Sequence, residues 1–387
     1  MTTTATKLKV IDCDSHFWQP LALWEKFIDA QYRDPIVTAV DHVIVGKPLP
    51  GGAFVSAKTR GGAVLGALGE NHRGGDHADT RLEWMDLEGI DVQVIYPTMM
   101  ALLPCLPDPN IASAAARALN RYAADFAFAA PDRLKPCMVL PFYHPQRALE
   151  EFHYASGELG LEVAFCPPTP SAERAWSDPE LDPLWQAMQD AGVPLTFHEF
   201  PRFPDGVAPL AARSSYKNSP LMLSLCGRVV EAELALMDMI LGGVLHRFPK
   251  LRVGIAEAFV AWLPAWLALM DRMWDRALHK AKTEFTGSRP RRGAHGPHAE
   301  FTVSPADQFR RQGFVIAFPN DLWLEKTIKF LGDDNVMIGS DFPHSSAVPN
   351  AVETFKATTP GLSEATQRKV LSENPQHIYG FKQVSIS

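Results

Sequence analysis

Long apolar runs are missing from this sequence. Its most hydrophobic stretch, FVAWLPAWLALM (residues 259–270), is too short to cross a bilayer and carries Pro264. Cysteine is scarce: Cys13, Cys105, Cys137, Cys166 and Cys226 are odd in number, widely spaced and mostly set in apolar runs. That pattern excludes a disulfide framework or a cysteine knuckle for a metal, and reads as reduced, buried thiols. Positive charge is also in deficit, with 37 Lys and Arg against 44 Asp and Glu, which argues against a nucleic-acid partner. The first residues, MTTTATKLKV, show neither a basic start with an apolar core nor a small-residue cleavage pattern, so a soluble, cytoplasmic protein with no membrane partner is expected. A phosphate-binding glycine loop is lacking too. The glycine-rich GGAFVSAKTRGGAVLGALG contains neither G-x-G-x-x-G nor G-x-x-x-x-G-K-[ST], which removes the usual mark of a nucleotide-binding open sheet.

What is present is alternation. Eight short apolar or β-branched runs (LKVIDC, DVQVIYP, KPCMVLP, LEVAFC, PLTFHE, LRVGIAE, GFVIAFP and NVMIGSD) are separated by amphipathic helical patterns such as IASAAARALNRYAADFAFAAP and PELDPLWQAMQDAG. Many of these helical patterns stop at Gly or Pro just before the next run. Near-continuous apolar strands suit burial on both faces of a parallel sheet, and eight strand–helix units favour a (β/α)8 TIM barrel over an open sheet. At 387 residues, one such barrel domain spanning 1–387 accommodates insertions near 41–82, 200–220 and 282–305.

A barrel places the C-terminal ends of its strands at one mouth, where polar residues inside apolar runs become informative. Strand one ends in Asp12, Asp14 and His16 at alternate positions, which an extended chain would turn to one face. Strand five ends in His198 and Glu199, strand six in Glu257, and strand eight in Asp341 with His344 just beyond. Their convergence would make a metal site. Asp12 is alternatively a cap for a neighbouring backbone or a partner that orients His16.

The order D-x-H, then His198, then Asp341 in IGSDFPH, together with ALNRYAADFAFAAPDRLKPCMVLP and the late ENPQHIYGF, resembles the amidohydrolase-related family of the amidohydrolase superfamily. That family includes aminocarboxymuconate semialdehyde decarboxylase and aromatic-acid decarboxylases. The resemblance implies that Asp14 takes the place of the first histidine of H-x-H, that His16 matches the second, and that His198 and Asp341 are further metal ligands, Asp341 also able to act as a base. The sixth-strand histidine of many members has no counterpart, and Glu257 stands in GIAEAF instead.

Two imidazoles and two carboxylates would neutralise one divalent ion and leave room for water or substrate. Glu257, with Asp12 or Glu199, adds more negative charge than one ion balances, so one or two ions are expected, Zn first, with Mn or Fe as alternatives for an oxygen-rich set. The expected activity is a metal-dependent hydrolase or nonoxidative decarboxylase of a small carboxylated or aromatic compound. Glu257 is expected as a further metal ligand or as a base, Asp341 or Glu257 would move the proton, and His344 would face substrate. Trp18 and Phe17 would line the pocket, and Arg202, with Arg213 and Lys217, offers cations for a substrate carboxylate unless that loop is simply solvated. Two alternatives stay open: a dinuclear Fe/Mn oxygenase on the same barrel, and a partner subunit of a heteromeric complex with a paralogue. A homo-oligomer paired through outer helices is what the resemblance implies.

Overall fold

The structure, a computed structural model, describes residues 9–20, 22–43, 74–171, 173–199, 225–283, 302–344 and 346–381. Arg202, Arg213, Lys217 and most of the three expected insertions lie outside these residues.

Eight strands form one sheet in chain order: β1 (Ile11–His16), β2 (Val92–Tyr96), β3 (Leu134–Val139), β4 (Val163–Cys166), β5 (Leu195–His198), β6 (Val253–Ala256), β7 (Gly313–Ala317) and β8 (Val336–Ile338). Every neighbouring pair is parallel. All strand residues except Lys135 are buried, as expected for strands covered by helices on one side and barrel interior on the other. Each of the apolar runs read from the sequence overlaps one of these strands, β1 running three residues beyond its run and β3 starting one residue before its own, and the expected (β/α)8 barrel is the architecture found.

Helix ends follow local chemistry. Asp108 accepts from the backbone N–H groups of Asn110 and Ile111 at 2.8 and 3.3 Å, with Pro109 opening the helix Pro109–Ala127. Helix Asp182–Ala191 stops at Gly192, whose φ of 69° is left-handed, and β5 begins three residues later. All five cysteines are free thiols, four of them fully buried, as anticipated. No helix among the described residues is long and apolar enough to cross a membrane.

The barrel closes between the end of β1 and the segment after β8. Ser15 and Phe342 form a parallel bridge, the Asp341 N–H donates to the Asp14 carbonyl at 2.8 Å, and the His16 N–H donates to the Phe342 carbonyl at 2.6 Å. This closure needs a residue without a side chain at 339. A Cβ on Gly339 would sit 2.1 Å from Asp14 Cβ and 2.8 Å from its backbone nitrogen. Gly339→Ala therefore forces β1 and β8 apart. We expect a loss of about 1–3 kcal/mol in urea unfolding, and an unchanged midpoint would show that the closure tolerates the methyl group.

Candidate metal centre

Two of the candidate side chains come from β1. Asp14 and His16, two residues apart, reach the same side, and Asp14 Oδ1 lies 3.3 Å from His16 Nε2 and 3.4 Å from His198 Nε2 at the end of β5. His16 Nε2 is also 3.2 Å from Asp341 Oδ1, just past β8. The donor atoms of Asp14, His16 and His198 all lie within 4.8 Å of one another, as do those of a second group, His16, Asp341 and His344, which shares His16. The His16 and His198 rings meet edge to face at 4.9 Å, and His344 stacks on His16 at 3.9 Å. Segments that are distant in sequence thus present their imidazoles and carboxylates at one rim.

Asp12 does not join them. Pairing with β2 advances from Asp12↔Gln93 to Ser15↔Ile95, so β1 carries one extra residue there, and this irregularity breaks the two-residue alternation. Asp12 instead accepts from Gln93 Nε2 at 2.7 Å, the Ser340 N–H at 2.8 Å and the Ser340 hydroxyl at 2.6 Å. It is a backbone cap that ties β1 to β2 and to the segment after β8. Burial raises its pKa to about 6 against the pull of these donors. Phe17 likewise turns away from the mouth. It packs edge to face on Phe126 and Tyr122 at 4.9 and 5.6 Å, inside the core. Trp18 stays at the rim, its ring 5.6 Å from that of His344.

Glu257 stands at the end of β6 with its Oε2 3.6 Å from His198 Nε2. Its other oxygen takes a short bond from Arg228 Nη1, while Arg228 Nη2 lies 2.8 Å from Glu199 Oε1. Burial, then the charge of Asp341, pushes the Glu257 carboxyl up to about 7, against the opposing pull of His198 and Arg228. Burial and the adjacent Glu257 push Glu199 up to about 9. Asp341 behaves in the opposite way. Burial would raise it, but the imidazoles of His16 and His344 outweigh burial and hold it well below the usual carboxylate range. Both Asp341 oxygens are engaged, Oδ1 by His344 Nδ1 at 2.6 Å and Oδ2 by the Ser346 hydroxyl. Burial opposes charge on His16 as well, yet Asp14 and Asp341 together raise it to about 10. An ion binding at His16 would therefore displace a proton.

The donor set fits a divalent ion. Asp14 Oδ1, His16 Nε2 and His198 Nε2 are buried and make no hydrogen bond, although each has an oppositely polarised atom within ion-pair distance. Leaving a buried polar atom without a partner costs about 1–3 kcal/mol, and several such atoms facing one point are what a cation would satisfy. His198 Nδ1 donates to the Glu199 carbonyl at 3.1 Å, which leaves its Nε2 as the lone-pair side. Two neighbouring carboxyl residues of the rim, Glu257 and Asp341, adopt left-handed φ values of 55° and 61°. Each costs about 1–3 kcal/mol, and such outliers concentrate at functional sites.

Arg228, Ser346 and Tyr96 were not anticipated. The Tyr96 ring lies 5.0 Å from that of His198. Tyr96 is the last residue of a strand already recognised, so its place at the barrel mouth was available from the sequence. Behind β1, fully buried Arg81 donates to the carbonyls of Gly74 (2.7 Å) and His16, and to Ser15 Oγ and Gln93 Oε1, both at 3.1 Å. It holds the backbone that carries His16.

A parallel eight-stranded barrel with imidazoles and carboxylates gathered at its strand ends is the architecture of metal-dependent barrel enzymes. A family model described as amidohydrolase matches residues 11–381, and the chain belongs to that family. It is an enzyme of the family's metal-dependent hydrolase and decarboxylase type. A gamma-resorcylate decarboxylase from Rhizobium radiobacter is 24% identical over 323 residues, covering 80% of this chain and 88% of that protein. Among solved structures, an amidohydrolase from Mycobacterium avium subsp. paratuberculosis superposes with a TM-score of 0.72 at 20% identity, covering 97% of this chain and 100% of that one. A dihydroxybenzoic acid decarboxylase from Polaromonas, with bound manganese and the inhibitor 2-nitroresorcinol, gives 0.65 at 18% identity over 97% and 98% of the two chains. These relatives lend no support to the oxygenase alternative.

Removing one imidazole tests the cluster directly. His198→Ala and His16→Ala are each expected to weaken divalent-ion binding by more than the roughly 10–100-fold that loss of an outer partner costs. Metal content after gel filtration reads this, and variants that retain a full complement would remove those residues from the centre.

Proposed function

We propose that the protein is a nonoxidative decarboxylase of a small aromatic acid, with one divalent ion held by Asp14, His16, His198 and Asp341. The observation that carries the reading is the arrangement of carboxyl groups. Asp341 has both oxygens occupied and is held strongly ionised, which suits a ligand and makes it a poor base. Glu257 has one oxygen anchored by Arg228 and the other facing the cluster, which suits a group that delivers a proton. Hydrolysis would need a base for water, and the imidazole that many family members place on β6 is a carboxyl here. The named activities of the gamma-resorcylate and dihydroxybenzoic acid decarboxylases point the same way.

Bound at this centre, a divalent ion supplies a Lewis acid for the carboxylate or adjoining oxygen of the substrate. Manganese is our choice over the zinc first expected, because the donors are rich in carboxylate oxygen and the Polaromonas relative carries manganese. The remaining work falls to the chain. Trp18 and His344 line one side and orient the ring, and burial of the cluster excludes bulk water. Protonated Glu257 gives its proton to the ring carbon that bears the carboxylate. The carbon–carbon bond then breaks, carbon dioxide leaves, and the electron pair returns to the ring. Glu257 regains its proton from solvent.

Turnover of carboxyl-labelled hydroxybenzoic acids in deuterium oxide tests this. We expect labelled carbon dioxide, one deuterium at the vacated ring carbon and no oxygen uptake. Glu257→Gln should lower kcat by about 10²–10⁴-fold with metal content unchanged. Solvent oxygen in a product that keeps its carboxyl group would indicate hydrolysis, and consumption of dioxygen would indicate the oxygenase; either result would overturn the proposal.

A further inference from the structure

Four carboxylates, Asp14, Glu199, Glu257 and Asp341, surround His16 and His198, all of them buried. One divalent ion balances Asp14 and Asp341 and leaves the carboxyl groups of Glu199 and Glu257 without a metal partner. A cation already sits among them. Arg228, on the π-helical turn Cys226–Val230, places Nη1 on Glu257 Oε1 and Nη2 2.8 Å from Glu199 Oε1, so one planar guanidinium joins the two carboxyl groups that neither the Asp14–His16–His198 group nor the His16–Asp341–His344 group uses. The Arg228 side chain is 22% exposed, while those of Glu199 and Glu257 are 6% and 2% exposed. Glu199 Oε2 is buried without a hydrogen-bond partner.

We propose that Arg228 stands where a second metal ion would bridge Glu199 and Glu257, and that it restricts the centre to a single ion. The inference rests on the reading that Asp14, His16, His198 and Asp341 hold a divalent ion. A guanidinium is a fixed cation that offers donors only. It balances a carboxylate and directs the free oxygen of Glu257 toward His198, but it has no open position for dioxygen or a second water. Arg228 is in this sense a positioning residue. It also explains why a carboxylate-rich rim need not be dinuclear.

The test is a manganese titration of the chelator-treated full chain, with bound ions counted by calorimetry and spin coupling read by electron paramagnetic resonance. The native protein is expected to take up one ion per chain at saturating metal and to show the spectrum of isolated Mn(II). Arg228→Met should take up two and show exchange coupling, Arg228→Lys should stay at one, and Glu199→Gln added to Arg228→Met should return the count to one. Should Arg228→Met fail to fold, the native count still decides, because two ions in the native protein overturn the proposal. One uncoupled ion in a folded Arg228→Met overturns it equally. A native protein that binds no manganese, zinc or iron is a separate result and defeats the underlying metal reading.

Discussion

Backbone pairing between the end of β1 and the segment after β8 decides where the polar groups of the centre sit. The Asp14 carbonyl takes the Asp341 N–H, and the His16 N–H reaches the Phe342 carbonyl, so residues more than three hundred positions apart are locked in register. Asp12 doubles the lock through the backbone and hydroxyl of Ser340, and Arg81 secures the His16 carbonyl from the helix side. Were this seam to slip by one residue, Asp14 and His16 would exchange faces with their neighbours and the donor atoms would part. The side-chain chemistry of the mouth is in this sense a consequence of main-chain closure.

Electrostatics then sorts carboxyl groups that are alike in the sequence. Asp341 is surrounded by imidazoles and stays ionised, Glu257 is caught between burial and Arg228, and Glu199 is driven toward its neutral form. Environments that push equivalent groups apart would let one barrel mouth separate the ligand, proton donor and support of the proposed reaction. Left-handed φ at Glu257 and Asp341 shows local backbone stability given up to aim those two side chains.

Much of this was legible beforehand, for identifiable reasons. Alternating apolar runs and helix stops marked every strand of the barrel, and a histidine or aspartate at the end of an apolar run stood out because burial there is costly without a partner. That is why Asp14, His16, His198, Glu257 and Asp341 could be selected as candidates. Asp12 was left between donor and backbone cap, and the cap is what the structure shows: strict alternation assumes an unbroken pleat, and the extra residue between Asp12 and Ser15 leaves no mark in composition that could have decided it. Phe17 misled for a related reason, continuing past the strand into the core. Arg228 was hidden because its role depends on a π-helical turn far from any strand end, and a lone arginine beside an amphipathic helix ordinarily reads as surface.

In the proposed centre, two imidazoles and carboxylate oxygens from β1, β5 and the segment after β8 grip one divalent ion. X-ray absorption at the edge of the bound metal tests it most directly. A first shell of oxygen and nitrogen with multiple scattering from two imidazoles, reduced to one in His198→Ala, is the predicted spectrum. A shell of oxygens alone, with no imidazole scattering in the native protein, would contradict it.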